Sequence, residues 1–128
     1  MQAGIREILA PTGLPYVFTG HPCMFGIMFT ETEPSEYRDW ADSDHELYDA
    51  VATGMHARGA MPEPDSREPW FICEAHAQGD LVDRVLTAFS DSLDAALEAR
   101  ARGQAIGATH AAAMGGTMGA TIGDPGDD

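Results

Sequence analysis

The stretch Cys23-Met24-Phe25-Gly26-Ile27-Met28-Phe29-Thr30 decides the fold of this chain, because it is an almost unbroken apolar run of strand length. A run of this kind favours a strand that is buried on both faces or covered by helices. Gly26 in its middle indicates a bulge or a close backbone approach. A second run, YVFT at residues 16–19, precedes it, and the turn signal Gly20-His21-Pro22 lies between them. The two runs are therefore predicted as strands joined by a turn.

The sequence on either side of these runs predicts helices. The middle helix, predicted at residues 44–58, has Ser43 as its expected N-cap and Glu46 as the partner in a capping box. Gly59 fits the position just beyond the end of the same helix. The last helix has the clearest amphipathic pattern in the chain. The predicted elements are helices at residues 2–10, 44–58 and 79–101 and a short strand at residues 70–73.

This order of elements predicts an α+β fold, with a small, mainly antiparallel sheet and helices packed on one face. The folded domain is expected to span residues 1–102. Residues 103–128 differ in composition, with seven of the 14 glycines and many alanines. We expect a flexible Gly/Ala-rich tail there. The alternative is a membrane or helix-packing segment, because Gly115, Gly119 and Gly123 have small-xxx-small spacing.

The charge of the chain excludes several classes of function. It has 21 acidic residues against seven arginines and no lysine, for a net charge of -14. Nucleic acid and anionic membrane surfaces are therefore not expected partners. The N-terminus carries no signal peptide pattern, so the expected location is the cytoplasm and a disulfide is not expected. Without lysine, no side-chain amine can form a Schiff base with a carbonyl group.

Two pairs of residues suggest a metal site. His21 with Cys23, and Cys73 with His76, would supply two sulfurs and two nitrogens, the donor set that zinc prefers. Their spacing is irregular, and both cysteines fall within apolar runs, where a free cysteine is commonly a small buried residue. Cys73 and His76 are also a candidate nucleophile and base, but no orienting residue is recognisable. We therefore expect core cysteines, no metal site and no catalytic residue.

Four places in the chain together resemble a known family. They are the segment 24–30, the helix led by Ser43-Asp44 and ended by Arg58-Gly59, the proline-rich loop running into Trp70-Phe71, and Ala75-His76 followed by Asp80-Leu81. In this order and spacing, over residues 3–98, they resemble the C-terminal small domain of class III pyridoxal-phosphate aminotransferases. Within that class the resemblance is closest to the glutamate-1-semialdehyde aminomutases.

The resemblance implies the C-terminal domain of a fold type I pyridoxal-phosphate enzyme. It implies a large domain before Met1 that carries the cofactor and its lysine. No catalytic or cofactor-binding residue carries over to this chain. The residues expected nearest the substrate are Met24, Phe25 and His76, and core packing is the rival interpretation for each.

The expected function is the C-terminal part of an amino-group-transferring enzyme that is inactive alone. Pyridoxal phosphate is expected only in a complete enzyme, with none bound by this chain alone. The expected partner is a large cofactor-binding domain in trans, or a second copy of the chain, because the first helix and the strand at 23–30 are expected to leave apolar surface uncovered. The alternatives are a stand-alone, non-catalytic binding domain that retains the fold and a degenerate fragment without function.

Overall fold

A computed structural model describes residues 1–104, which form a three-stranded sheet and three α-helices. The strands are β1 (Val17–His21), β2 (Met24–Met28) and β3 (Trp70–Phe71). β2 lies in the centre and pairs antiparallel with both neighbours. The predicted α+β class with a small antiparallel sheet is confirmed. Residues 105–128, most of the predicted tail, lie outside the described residues.

The helices are α1 (Gln2–Leu9), α2 (His45–Ala57) and α3 (Leu81–Ala101), each close to its predicted bounds. Short 3-10 helices lie at Ala10–Thr12, Tyr37–Asp42 and Glu74–Ala77. Within residues 1–104, none of the helices is both long enough and apolar enough to span a membrane.

The inner face of the sheet carries a row of aromatic rings. Phe18 contacts Phe25 with ring centroids 5.5 Å apart, and Phe25 contacts Trp70 at 5.6 Å. Trp70 in turn reaches Phe89 of α3 at 6.4 Å. Edge-to-face and tilted ring contacts of this kind stabilise a core beyond the apolar area they bury. The row joins all three strands to α3.

Of the two environments predicted for β2, burial on both faces is wrong for one end of the strand, whereas cover by helices is confirmed for the inner face. Phe25 and Ile27 face the helices and are buried, whereas Met24 is 47% exposed. A Cβ added to Gly26 would lie 2.7 Å from the Thr19 hydroxyl oxygen, so the absence of a side chain at Gly26 leaves the space that the Thr19 side chain occupies. The register across Gly26 is regular, so the close approach predicted there exists without a bulge.

The first helix packs better than expected. Ile5 and Leu9 are fully buried in the core, and Ile8 is partly buried against it. A Cβ added to Gly4 would collide with the side chain of Leu86, which shows how closely α1 approaches α3. The prediction that α1 leaves apolar surface uncovered is therefore wrong.

Helices α2 and α3 meet at small residues. A Cβ built on Gly54 would lie 2.8 Å from both side-chain atoms of Ser92. The Ser92 hydroxyl is buried and donates to the carbonyl of Ala88 at 2.6 Å, so it adds no unsatisfied polar atom to the helix contact. The pair of small residues lets the two backbones approach.

The N-terminus of α2 differs from its prediction. Asp44, not Ser43, is the N-cap, and its carboxylate accepts the backbone N–H of Leu47 at 3.1 Å. The Ser43 hydroxyl instead donates to the carbonyl of Trp40, which ends the preceding 3-10 helix. Asp44 also accepts two hydrogen bonds from Arg100, at 2.7 and 2.9 Å. Burial opposes ionisation of Asp44, but these hydrogen bonds outweigh it and hold its pKa below the ordinary value.

Substitutions at Asp44 should separate the cap from the ion pair. Asp44→Asn keeps a capping oxygen but loses the charge, and should lower the free energy of unfolding by about 0.5 kcal/mol, as expected for a partly exposed pair. Asp44→Ala also loses the cap and should cost about 1 kcal/mol more. Urea unfolding at neutral pH measures both.

The same pair predicts a pH dependence. Because the pKa of Asp44 is lower in the folded state, its contribution is present above the unfolded value of about 3.9 and is lost as the pH falls through the folded pKa. The difference between wild type and Asp44→Asn should therefore shrink below about pH 4. A difference that stays constant down to pH 2 would contradict this assignment.

Candidate functional site

The three residues expected near a substrate separate in the structure. Met24 begins β2 on the outer face of the sheet, and Phe25, the next residue, points inward and is fully buried. His76 lies in the 3-10 helix Glu74–Ala77 that follows β3, and is half-buried. Phe25 is thus a core residue of this domain, while Met24 and His76 remain accessible.

Met24 belongs to a larger exposed apolar surface. It pairs across the sheet with Phe71 of β3, which is 67% exposed. Phe71 also lines a cavity of about 230 Å³ together with Met61, which is 87% exposed. We call Met24, Met61 and Phe71, with the cavity, the apolar surface. Exposed clusters of this kind commonly mark contact sites for other molecules.

The cavity connects this surface to His76. Its floor is formed by Trp70 and Met55, both buried in the core. The His76 imidazole lines one wall of the cavity, and Glu63 of the proline-rich loop lines another part of it. The lining residues are Met1, Met55, Ala60, Met61, Pro62, Glu63, Pro69, Trp70, Phe71, Ile72, His76 and Val85.

A buried hydrogen-bonded chain supports the cavity from below. The Trp70 indole N–H donates to the Tyr48 hydroxyl at 2.8 Å, and that hydroxyl donates to the Glu63 carbonyl at 2.6 Å. Burial raises the pKa of Tyr48, so its hydroxyl keeps the proton that this chain of hydrogen bonds requires. These two hydrogen bonds hold the cavity floor and the loop beside it in one arrangement.

The prediction that both cysteines lie in the core is wrong. Both are exposed free thiols, because β2 begins after Cys23 and β3 ends before Cys73. Each lies beside its histidine: the Sγ to Nδ1 distance is 3.1 Å for Cys23 and His21, and 3.3 Å for Cys73 and His76. Among residues 1–104, no three His, Cys, Asp or Glu side chains are gathered closely enough to hold a metal ion.

Phe71 and Met61 were not among the predicted site residues. Strand alternation contained a signal for Phe71, because residues 70 and 71 must face opposite sides and the tryptophan is the better core residue. Met61 lies in a proline-rich loop without periodicity, and no pattern indicated its exposure.

The chain is similar in sequence to known enzymes over part of their length. No protein-family model matches it. It is 32% identical over 93 residues to the glutamate-1-semialdehyde 2,1-aminomutase of Methanothermobacter thermautotrophicus, and 29% identical over 93 residues to that of Thermus thermophilus. Each match covers 73% of this chain and 22% of the relative, so the chain spans about a fifth of the length of the curated relatives it matches.

The fold has a counterpart among solved structures. An omega-transaminase from Sphaerobacter thermophilus superposes with a TM-score of 0.60 at 23% sequence identity. The superposition covers 74% of this chain and 22% of that one. At this identity the likeness concerns the fold.

Two alanine substitutions at adjacent residues test the division of roles within β2. Phe25→Ala removes a fully buried ring and should lower the free energy of unfolding by about 3–5 kcal/mol. Met24→Ala is the matched control, and should change it by no more than about 0.5 kcal/mol. Equal losses in urea unfolding would contradict the assignment of Phe25 to the core and Met24 to the surface.

Proposed function

We propose that this chain serves as the C-terminal small domain of a class III pyridoxal-phosphate enzyme that transfers amino groups, because it is similar in sequence to glutamate-1-semialdehyde 2,1-aminomutases and in fold to an omega-transaminase. The aminomutase relatives favour a reaction of their type over a general transamination. The expected cytoplasmic location is part of the same proposal.

The observation that carries this proposal is the apolar surface. Met24, Met61 and Phe71 are three of the four large apolar side chains that the structure exposes among residues 1–104. They are joined by one cavity and one strand pair, whereas the fourth, Tyr37, hydrogen-bonds to Arg67 elsewhere. A small domain that packs against a large one needs such a surface, and we propose that this surface faces the large domain.

The cofactor's covalent attachment does not fit this chain. Pyridoxal phosphate forms a Schiff base with a lysine amine, and the sequence has no lysine. We therefore assign the attachment lysine to the large domain and derive no chemical step on the residues of this chain. Its proposed contribution is to cover the active site, with Met24 and His76 nearest to the substrate and Phe25 supporting Met24 from the core.

Reconstitution with a large domain tests the proposal. The Thermus thermophilus aminomutase, shortened by its last fifth, would be mixed with this chain, and the complex measured by sedimentation velocity. Binding is expected, with regain of the relative's aminomutase activity as the second readout. Sedimentation of this chain alone over a range of concentrations shows whether a second copy occupies the surface instead.

A pair of aromatic substitutions provides the control. Phe71→Ala removes a ring from the apolar surface and should weaken binding about tenfold, whereas Tyr37→Ala removes a similarly exposed ring elsewhere and should leave it unchanged. A compact monomer that binds no large domain, with both variants alike, would contradict the proposal and favour a stand-alone binding domain.

The isolated chain should form no Schiff base with pyridoxal phosphate on an internal residue, because the only amine it offers is the N-terminal one. The measurement is borohydride reduction of a mixture of chain and cofactor, followed by peptide mass spectrometry. The full-length Thermus thermophilus aminomutase serves as the positive control. A reduced adduct at any residue other than Met1 would refute this expectation.

A further inference from the structure

We propose that Cys23 is a reactive thiol, activated by His21, that exchanges with small-molecule disulfides and carries the resulting mixed disulfide at the β1–β2 turn. A nucleophile and a base within hydrogen-bonding reach of each other are the structural requirement for such activation. The Cys23 Sγ lies 3.1 Å from the His21 Nδ1, and the thiol is exposed to reagents.

The turn holds this pair in place. His21 ends β1 and pairs with Met24 at the start of β2, so two residues make the connection. Gly20 adopts a φ of +81°, and a Cβ there would lie 2.6 Å from the Met24 carbonyl oxygen, so the turn conformation depends on glycine. The short distance between thiol and imidazole is thus a property of an ordered hairpin.

The second cysteine has the same partner type but a different geometry. The His76 Nδ1 accepts the backbone N–H of Cys73 at 3.0 Å, which engages its single lone pair, and the Cys73 Sγ is farther away at 3.3 Å. At the His21 Nδ1 the sulfur is the closer neighbour: the Cys23 Sγ lies at 3.1 Å and the Cys23 backbone nitrogen at 3.4 Å. Since hydrogen bonds weaken beyond about 3.2 Å, the His21 imidazole is the more available base.

The reaction conserves atoms and electrons. The His21 imidazole accepts the proton of the Cys23 thiol, and the thiolate attacks one sulfur of the disulfide. A new sulfur–sulfur bond forms to Cys23 as the original one breaks. The departing thiolate takes the proton from the imidazolium and leaves as a free thiol.

The position of Cys23 gives this exchange a consequence. The next residue, Met24, belongs to the apolar surface, and the Cys23 carbonyl accepts the backbone N–H of Ile72, the residue after Phe71. A mixed disulfide would therefore stand at the edge of the apolar surface. The thiol chemistry itself does not depend on what that surface binds.

Rates of modification test the proposal. The whole chain would be treated with the disulfide of mercaptoethanol, a neutral probe that the charge of -14 does not repel. Peptide mass spectrometry then gives the rate at each cysteine. Cys23 should react several-fold faster than Cys73, and His21→Gln should slow Cys23 about tenfold while leaving Cys73 unchanged.

Two comparisons keep the result interpretable. Circular dichroism of the His21→Gln chain reports whether the fold survives the substitution, and His76→Gln is the matched variant, expected to leave Cys23 unaffected. Without any substitution, native Cys23 should also react faster than Cys23 in the urea-unfolded chain, because unfolding removes the imidazole. Equal rates at both cysteines, or a faster reaction in urea, would overturn the proposal.

Discussion

The packing of Trp70 is the interaction on which the rest of this structure depends. Its ring contacts Phe25 of the central strand and Phe89 of α3, and its indole N–H donates to Tyr48 of α2. Strand β3 has only two residues, too few for backbone hydrogen bonds alone to hold it in the sheet. The side chain of Trp70 therefore fixes the strand, and through Tyr48 and the Glu63 carbonyl it also fixes the loop before it.

This arrangement explains why one end of the sheet is open. With Trp70 turned into the core, Phe71 must face outward beside Met24, because successive strand residues alternate between faces. The helices cover only the inner face, so no element of residues 1–104 buries these two side chains. The stability of the core and the exposure of the apolar surface are thus two results of one strand geometry.

Sequence patterns predicted the helices and the fold class well, because amphipathic periodicity and glycine at a helix end are local signals that the tertiary structure did not override. The run at residues 23–30 was harder, since it is apolar on both faces and alternation cannot distinguish Met24 from Phe25. Cys23 and Cys73 were placed in the core for a related reason: their surroundings are apolar, but the strands stop one or two residues short of them. At the start of α2, Asp44 caps the helix locally through the Leu47 N–H, and its second partner, Arg100, lies 56 residues away where no local pattern reveals it.

The contact between Asp44 and Arg100 also provides a fixed point at which a probe can be attached far from the cavity. It fastens the last turn of α3 to the first turn of α2, whereas the cavity touches Val85 near the opposite end of α3. The 15 helical steps from Val85 to Arg100 correspond to about 22 Å of helix. A fluorophore attached to a cysteine introduced at Gln104 would lie beyond the end of α3 that is remote from the cavity, so distance measurements from that residue would report on the apolar surface without obstructing it.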